Sequence, residues 1–409
     1  MKKVLILTLP VPGHMNPGIR IADQLARLGH QVFFASLRDT LPFIKRSGVS
    51  VSPLVFGERT FPKGALAARH SGSTKKGGAK AFFSSVQFMR SFNDEILSDL
   101  LSQSRDLKID LLVADELVVT AARFAELLGV SHCSFAAALS VLPDRRGICP
   151  PPSSKSLPSR SLTARIRNRV SAKALDFWAS TTSKSVAESI DSGFSKKLHL
   201  SLCPQAFDFD RGSLPKNYVY VSPPHSVQGA AQVSGNRSMR PVLYAAFGTL
   251  IHFQERRRVL ALISQLGAQL GFEVHVGLGS WAAEGQAQDF SDFHPDAKVY
   301  EMAPQLELIQ KADWVVTHGG MNTVMEALSM GKPVLVLPYN QDQFGIAARV
   351  RHHGLGKSLD FKDADAQRLS RILSELASDG RYKERAFNFQ KNFQNIRQAG
   401  DLIHERFLA

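Results

Sequence analysis

Apolar and polar positions along this chain follow two rhythms. Short unbroken apolar runs recur, and between them lie longer stretches whose apolar residues return at helical spacing. Residues 4–9 predict a buried strand, and 17–28 an amphipathic helix with Pro17 suited to its first position and Gly29 to its end. Residues 31–35 and 111–114 predict further strands, the latter followed by a helix over about 118–128 that closes at Gly129. Between them, 57–78 is rich in Gly, Ser and Lys and predicts an exposed loop, and 149–161, with its Pro and Ser, another irregular stretch. Around 221–240 the composition turns to Pro, Gly, Ser, Gln and Asn without periodicity, which predicts a linker. A second series then begins. Strands are predicted at 242–247, 273–277, 298–301, 313–316 and 334–337, with helices at 256–270 and from about 324 to Gly331. Two consecutive strand–helix series predict an α/β protein of two doubly wound domains, 1–220 and 241–396, facing each other across a cleft.

Composition narrows the class. A chain of 409 residues can bury two cores, and 44% hydrophobic with 21% charged residues is the balance of a soluble globular protein. No run reaches the roughly 18 apolar residues of a membrane-spanning helix. Met1-Lys2-Lys3 before an apolar run resembles a secretory leader, but Pro10 and Pro12 break it and no small-residue cleavage site follows, so it reads as the first strand. Cys133, Cys149 and Cys203 show neither metal-ligand spacing nor an even-numbered framework, and reduced thiols in a cytoplasmic protein are expected. The net charge of +14 is uneven. Residues 59–90 carry Lys63, Arg69, Lys75, Lys76 and Lys80 with no acid, and 145–175 carry Arg146, Lys155, Arg160, Arg165, Arg167, Arg169 and Lys173. These are either solvated basic faces or attractors of an anionic membrane or substrate. No nucleic-acid module accompanies the charge, so nucleic acid is not an expected partner.

The densest chemistry lies at 317–326. Thr317-His318-Gly319-Gly320-Met321-Asn322-Thr323 joins a predicted strand to a helix, and a Gly-rich turn at a helix N-terminus offers backbone N–H groups to a phosphate. His318, Asn322 and Thr323 add side-chain donors. Glu326 shares a helix face with Asn322 and Thr323 and is placed to hold a ribose diol. Asp342-Gln343, after the following strand, is placed to hold a second sugar. The implied ligand is a sugar nucleotide. At the front, Gly13-His14 follows the first predicted strand at its carboxyl end, where open α/β sheets bind ligands. Gly13 permits close backbone approach, and an imidazole with an ordinary pKa near 6.5 suits a general base, although a loop His is as readily a solvated one. Asp115 ends another strand in the same half and is either a partner orienting His14 or a helix N-cap, with Glu116 a competitor. Asp208-Phe209-Asp210 and Asp363-Ala364-Asp365 have metal-ligand spacing, but neither directly follows a strand and the second pair suits a helix start, so no metal is expected. Phe82, Phe83, Phe88, Phe92, Phe135 and Trp178 are either core or the wall of an apolar pocket.

Together, Gly13-His14, Asp115, Ala246-Phe247-Gly248-Thr249, Ala303-Pro304-Gln305 and the block from His318 to Gln343 resemble the family 1 glycosyltransferases over nearly the whole chain. Bacterial members acting on macrolides, carotenoids and sterols are the most similar in pattern. The resemblance implies a GT-B fold with the acceptor bound by the first domain, the UDP-sugar by the second, and 397–409 crossing back to the first. It implies His14 as catalytic base, Asp115 as its orienting acid, and Thr249, His318, Gly320, Asn322 and Thr323 on the diphosphate. Glu326 matches the ribose acid and Asp342 with Gln343 the sugar-holding pair, whose Gln leans towards glucose. Gln305 lies in the matched stretch. Met302 stands where the family usually carries an aromatic on uracil, which leaves TDP beside UDP. The expected reaction is metal-independent, cofactor-free transfer with inversion to a small lipophilic acceptor, with peripheral contact to an anionic inner membrane face. A GT-B sugar-nucleotide epimerase and a non-catalytic nucleotide or lipid binder are the rivals.

Overall fold

The computed structural model describes residues 1–66, 79–182, 190–212, 214–223, 239–248, 251–279 and 290–409. Of the expected linker, 224–238 lies outside them, as does 67–78 of the Gly/Ser/Lys stretch. The chain divides into two compact units. The first comprises Met1–Pro151, Pro158–Pro224 and Ile396–Ala409, and the second Pro152–Leu157 and His225–Asn395.

Each unit holds an all-parallel sheet. In the first, β1 (Lys3–Leu7), β2 (Gln31–Ser36), β3 (Ser52–Val55), β4 (Leu111–Asp115), β5 (Ser131–Ala136), β6 (His199–Ser201) and β7 (Tyr218–Tyr220) lie in the order β3-β2-β1-β4-β5-β6-β7. In the second, β8 (Val242–Ala246), β9 (Glu273–Gly277), β10 (Lys298–Tyr300), β11 (Trp314–Thr317), β12 (Val334–Val336) and β13 (Gly356–Ser358) lie in the order β10-β9-β8-β11-β12-β13. Both are doubly wound. The winding reverses between β1 and β4, and again between β8 and β11, and at each reversal a crevice opens at the carboxyl ends of the strands.

Central strands read as unbroken apolar runs because helices cover both faces. Val4 to Leu7 are wholly buried, with Val4 and Ile6 among Met15, Ile19 and Ala22, and Leu5 and Leu7 among Phe92, Ile96 and Phe124 on the other side. That alternation is the strand pleat. Val4 pairs with Leu111 and Leu7 with Ala114, which brings the ends of β1 and β4 level.

The first helix differs from expectation. It spans Pro12–Arg27, so Pro12 occupies the favoured first position and Pro17 lies inside. Pro17 has no N–H for the carbonyl of Gly13, but the first turn is already closed from His14 N–H and Met15 N–H to the Val11 carbonyl. Gly18 sits where a Cβ would come within 2.6 Å of Thr8 Cγ2, and this presses the helix onto the end of β1. The aromatic residues are mostly core. Phe92 and Phe135 are buried, Phe88 packs on the same cluster as Phe92, and Trp178 packs beside Val119 and Ala179. The side chains of Phe82 and Phe83 lie outside the described residues.

The C-terminal segment packs on the first unit. Ala399, Leu402, Ile403 and Leu408 enter its core, Gln24 and Gln398 join their amides at 2.8 Å, and Gly400 N–H donates to Gln24 Oε1. Among the described residues no helix is long and apolar enough to cross a membrane. The three cysteines are buried and unbridged.

Candidate functional site

Each unit places one imidazole at its sheet reversal, and the two are held differently. In the first unit, the chain leaves β1, extends through Val11 and enters the helix at Pro12, which sets His14 in the first helical turn. Its Nδ1 lies 2.6 Å from Oδ2 of Asp115, the last residue of β4. Asp115 is wholly buried while His14 is partly exposed. An ionised carboxylate only accepts, so the shared proton belongs to Nδ1 and Nε2 is left to accept. The other oxygen, Oδ1, accepts from Leu117 N–H at 2.9 Å, fixing the carboxylate. Asp115 is therefore not the cap of the next helix, Ala121–Leu128, whose N-cap is Thr120. A Cβ at Gly13 would meet nothing, so space stands open beside this turn.

Glu116 faces elsewhere. Its carboxyl accepts from Ser140 Oγ and Val141 N–H, both at 2.8 Å, and lies 3.3 Å from His199 Nε2. Burial pushes it up to about 8. This internal polar cluster steadies the segment after β5 and takes no part in orienting His14.

In the second unit, Gly248 follows β8 and its N–H donates to His318 Nδ1 at 3.0 Å. With Nδ1 accepting, the ring proton sits on Nε2, a fixed donor. Burial, then the charge of Arg256, lowers the His318 ring to about 4, so it is neutral at ordinary pH. Three glycines make the fit. A Cβ at Gly248 would come within 2.5 Å of His318 Nε2, and one at Gly320 within 2.8 Å of Cε1. Gly319 has φ of +91°, and a Cβ there would strike Val336 Cγ1 at 2.7 Å. Gly320 is the N-cap of the helix Met321–Ser329, with no side-chain cap on that end. Such an end presents N–H groups and a positive dipole to whatever approaches.

Behind it, Gln305, at the start of the helix Gln305–Lys311, donates to Glu326 Oε2 at 2.6 Å and lies 3.4 Å from Thr323 Oγ1. Glu326 is buried, and burial, then the charge of Glu326, pushes the nearby Tyr244 hydroxyl up. His318, Gly320, Thr323, Glu326 and Gln305 thus gather in one place. Asn322 stands in the helix's first turn, and Met302 is exposed after β10. Asp342 is the N-cap residue of Gln343–His352, next to Gln341 with its unusual φ of +51°. Gln343 does not present its amide beside Asp342. Its Oε1 accepts from Tyr339 and Asn340 N–H and its Nε2 donates to Asn340 Oδ1, so it braces the loop from beneath. Thr249 lies outside the described residues.

Sequence reasoning missed Arg256. It is buried in the helix Phe253–Gln269, donates from Nη1 to the Gly248 carbonyl at 3.2 Å, and has no partner for Nε. No carboxylate pairs with it among the described residues, and burial lowers its pKa. One Arg of the three at 256–258 carries no warning of this; only the fold places it behind His318.

The two acidic pairs serve the fold. Asp208 accepts from Phe209 N–H and the Tyr220 hydroxyl, and Asp365 caps the helix Ala366–Ser378 through Arg368 N–H.

Comparison with known proteins agrees with this architecture. Residues 254–399 match the model of the glycosyltransferase family 28 C-terminal domain. The chain is 23% identical to NDP-glycosyltransferase YjiC of Bacillus licheniformis, over 98% of this chain and 94% of that protein. It is 26% identical to zeaxanthin glucosyltransferase of Pantoea ananas, over 93% and 90%. Among solved structures, spinosyn rhamnosyltransferase SpnG complexed with thymidine diphosphate superposes with a TM-score of 0.69 at 16% identity, covering 99% of each chain. Two parallel, doubly wound sheets with this order are the GT-B fold. Over nearly its whole length the chain is similar to these glycosyltransferases, and transfer of a sugar from a nucleotide donor to a small-molecule acceptor is the activity that the comparisons support.

Proposed function

We propose that the chain transfers a hexose, glucose first, from UDP-sugar or TDP-sugar to a hydroxyl of a small lipophilic acceptor such as a carotenoid, sterol or polyketide, with inversion. One observation carries the reading: His14 Nδ1 at 2.6 Å from a wholly buried Asp115, at a sheet reversal. With Nδ1 held, Nε2 takes the acceptor's hydroxyl proton as its oxygen bonds to the anomeric carbon. The bond from that carbon to the diphosphate breaks, and its electron pair leaves with the nucleotide from the opposite face. Asp115 stabilises the imidazolium so formed.

In the second unit the departing diphosphate takes the N–H groups at Gly320, Met321 and Asn322, the Nε2–H of His318 and the hydroxyls of Thr323 and Thr249. Arg256, a buried cation behind them, supports the same charge. This reading uses no metal and no cofactor beyond the donor itself. Glu326, held by Gln305, takes the ribose, and Asp342 the transferred sugar, on the loop that Gln343 braces. Met302 packs on the base as a thioether, which accommodates uracil and thymine alike. Zeaxanthin glucosyltransferase among the relatives supports glucose and a lipophilic acceptor, and a rhamnosyltransferase of the same fold holds thymidine diphosphate.

The test offers UDP-glucose and TDP-glucose with a panel of lipophilic alcohols and reads products by mass spectrometry and anomeric NMR coupling. The wild-type chain should yield free nucleoside diphosphate and a glycoside of inverted configuration. Donor conversion without glycoside would assign an epimerase instead, and no turnover with any pair would defeat the reading.

A further inference from the structure

The helix Leu162–Thr181 in the first unit is amphipathic in an unusual sense, being apolar towards solvent. Its inward face is Ala164, Asn168 and Ala179, all buried, with Leu175 and Trp178 packed beside Val119. Opposite them stand Leu162, Ile166, Val170 and Phe177, each 51 to 69% exposed. At about 100° per residue these four fall within an arc of roughly 80°. The stripe runs about 22 Å along the helix, given a rise of about 1.5 Å per residue. Isolated exposed apolar side chains need no explanation, but four aligned on one outward face form a patch.

Charge surrounds the stripe on both margins. Arg169 lies along one edge, Arg167 beyond the other, and Lys173 within it, all exposed. Over 145–175 the chain has no Asp or Glu, and Asp176, exposed near the end of the same helix beside Phe177, is the one acid of that helix set against these three cations.

We infer that this face docks on an anionic lipid bilayer, with Leu162, Ile166, Val170 and Phe177 entering the acyl boundary and Arg167, Arg169 and Lys173 meeting the headgroups. An apolar stripe flanked by cations is what an interfacial helix needs: buried apolar area for depth and positive charge for acidic lipid. A second copy of the chain fits less well, because Arg167, Arg169 and Lys173 outnumber Asp176 on this face and pairing two stripes would bring that excess of positive charge together. The docking claim stands without the transferase reading. What it adds, on that reading, is delivery of a membrane-dissolved acceptor to the unit that carries His14.

Flotation of the full chain with phosphatidylcholine vesicles, with and without phosphatidylglycerol, tests it. The wild-type chain should float with the acidic vesicles alone, and release as salt rises. I166E/V170E should lower the bound fraction by about 10-fold at low salt, and R167E/R169E comparably. Equal flotation of I166E/V170E and wild type, or indifference of the wild type to acidic lipid, would overturn the inference. So would a wild-type dimer in sedimentation that I166E/V170E dissolves, which would give the face to a second copy. Transfer to a detergent-dissolved acceptor should be unaltered in I166E/V170E, while transfer to a vesicle-borne acceptor falls. A chain that floats yet transfers nothing would retire the transferase reading and keep the docking face.

Discussion

The two sheet reversals share a topology and a residue type, and they hold that residue in opposite settings. At the β1/β4 reversal, His14 turns Nδ1 to a buried carboxylate; at the β8/β11 reversal, His318 turns Nδ1 to the backbone N–H of Gly248. A carboxylate welcomes a proton on the ring and stabilises the imidazolium, which is the setting of a base. A backbone donor occupies the lone pair, and burial beside Arg256 keeps the ring neutral, which is the setting of a fixed hydrogen-bond donor. What an imidazole does is therefore decided by what its Nδ1 meets, and a strand end decides that.

The sharpest way to break this contrast is His14→Ala. If His14 is the base, kcat should fall about 10³- to 10⁴-fold while calorimetric affinity for the donor stays at the wild-type value. Near-normal turnover would remove the first half of the comparison. Asp115→Asn is the milder cut. The amide offers its own N–H where the ring needs an acceptor, so the wrong tautomer is favoured, and kcat should drop about 10²- to 10³-fold with the fold intact. Glu116→Gln, one residue on, is the control. Its carboxyl meets the segment after β5 and His199 of β6 and not His14, and comparable loss there would mean that the pair at 2.6 Å is incidental.

Arg256 probes the other reversal. A buried guanidinium with no carboxylate paired to it among the described residues destabilises an empty protein and attracts an anion. Arg256→Met should leave thermal stability unchanged or raise it, while the donor's KM rises about 10-fold, the scale of one charged hydrogen bond. A variant that loses stability and keeps its KM would make Arg256 a structural brace for Gly248.

These contrasts were unequally legible in the sequence. The buried strands β1, β4, β8 and β11 announced themselves because both faces are covered, so their central positions are all apolar. The strands β3, β5, β6, β7 and β13 did not. β3 is an edge strand with exposed residues, and β13 is only Gly-Lys-Ser. β5 buries polar groups, His132 and Ser134; Ser134 Oγ meets His199 Nδ1 at 2.8 Å, while His132 Nε2 is buried with no hydrogen-bond partner among the described residues. The glycines at 319 and 320 marked the tight turn into the helix Met321–Ser329, where a Cβ at either would collide. The choice between Asp115 and Glu116 was beyond any spacing rule. Neighbouring acids at a strand end leave on different sides, and only the placement of β5 tells which one meets His14. Gln343 was read for its chemistry, whereas its loop had already engaged the amide.

The gentlest test follows from the lowered pKa of His318. A ring that titrates near 4 when folded and near its ordinary 6.5 when unfolded binds a proton first in the unfolded chain. Its contribution to stability is complete above about pH 6.5, falls as pH drops towards 4, and loses nothing further below that. Thermal melts across this window should therefore show a slope to which His318 contributes. His318→Asn, which removes the titrating ring, should flatten it, although His132 and His199, lowered by burial in the first unit, preserve part of the trend. His14→Asn should leave the slope of the second unit untouched. If His318→Asn leaves the slope of the melts unchanged, the ring of His318 is not held neutral by its surroundings, and the two imidazoles lose their distinction.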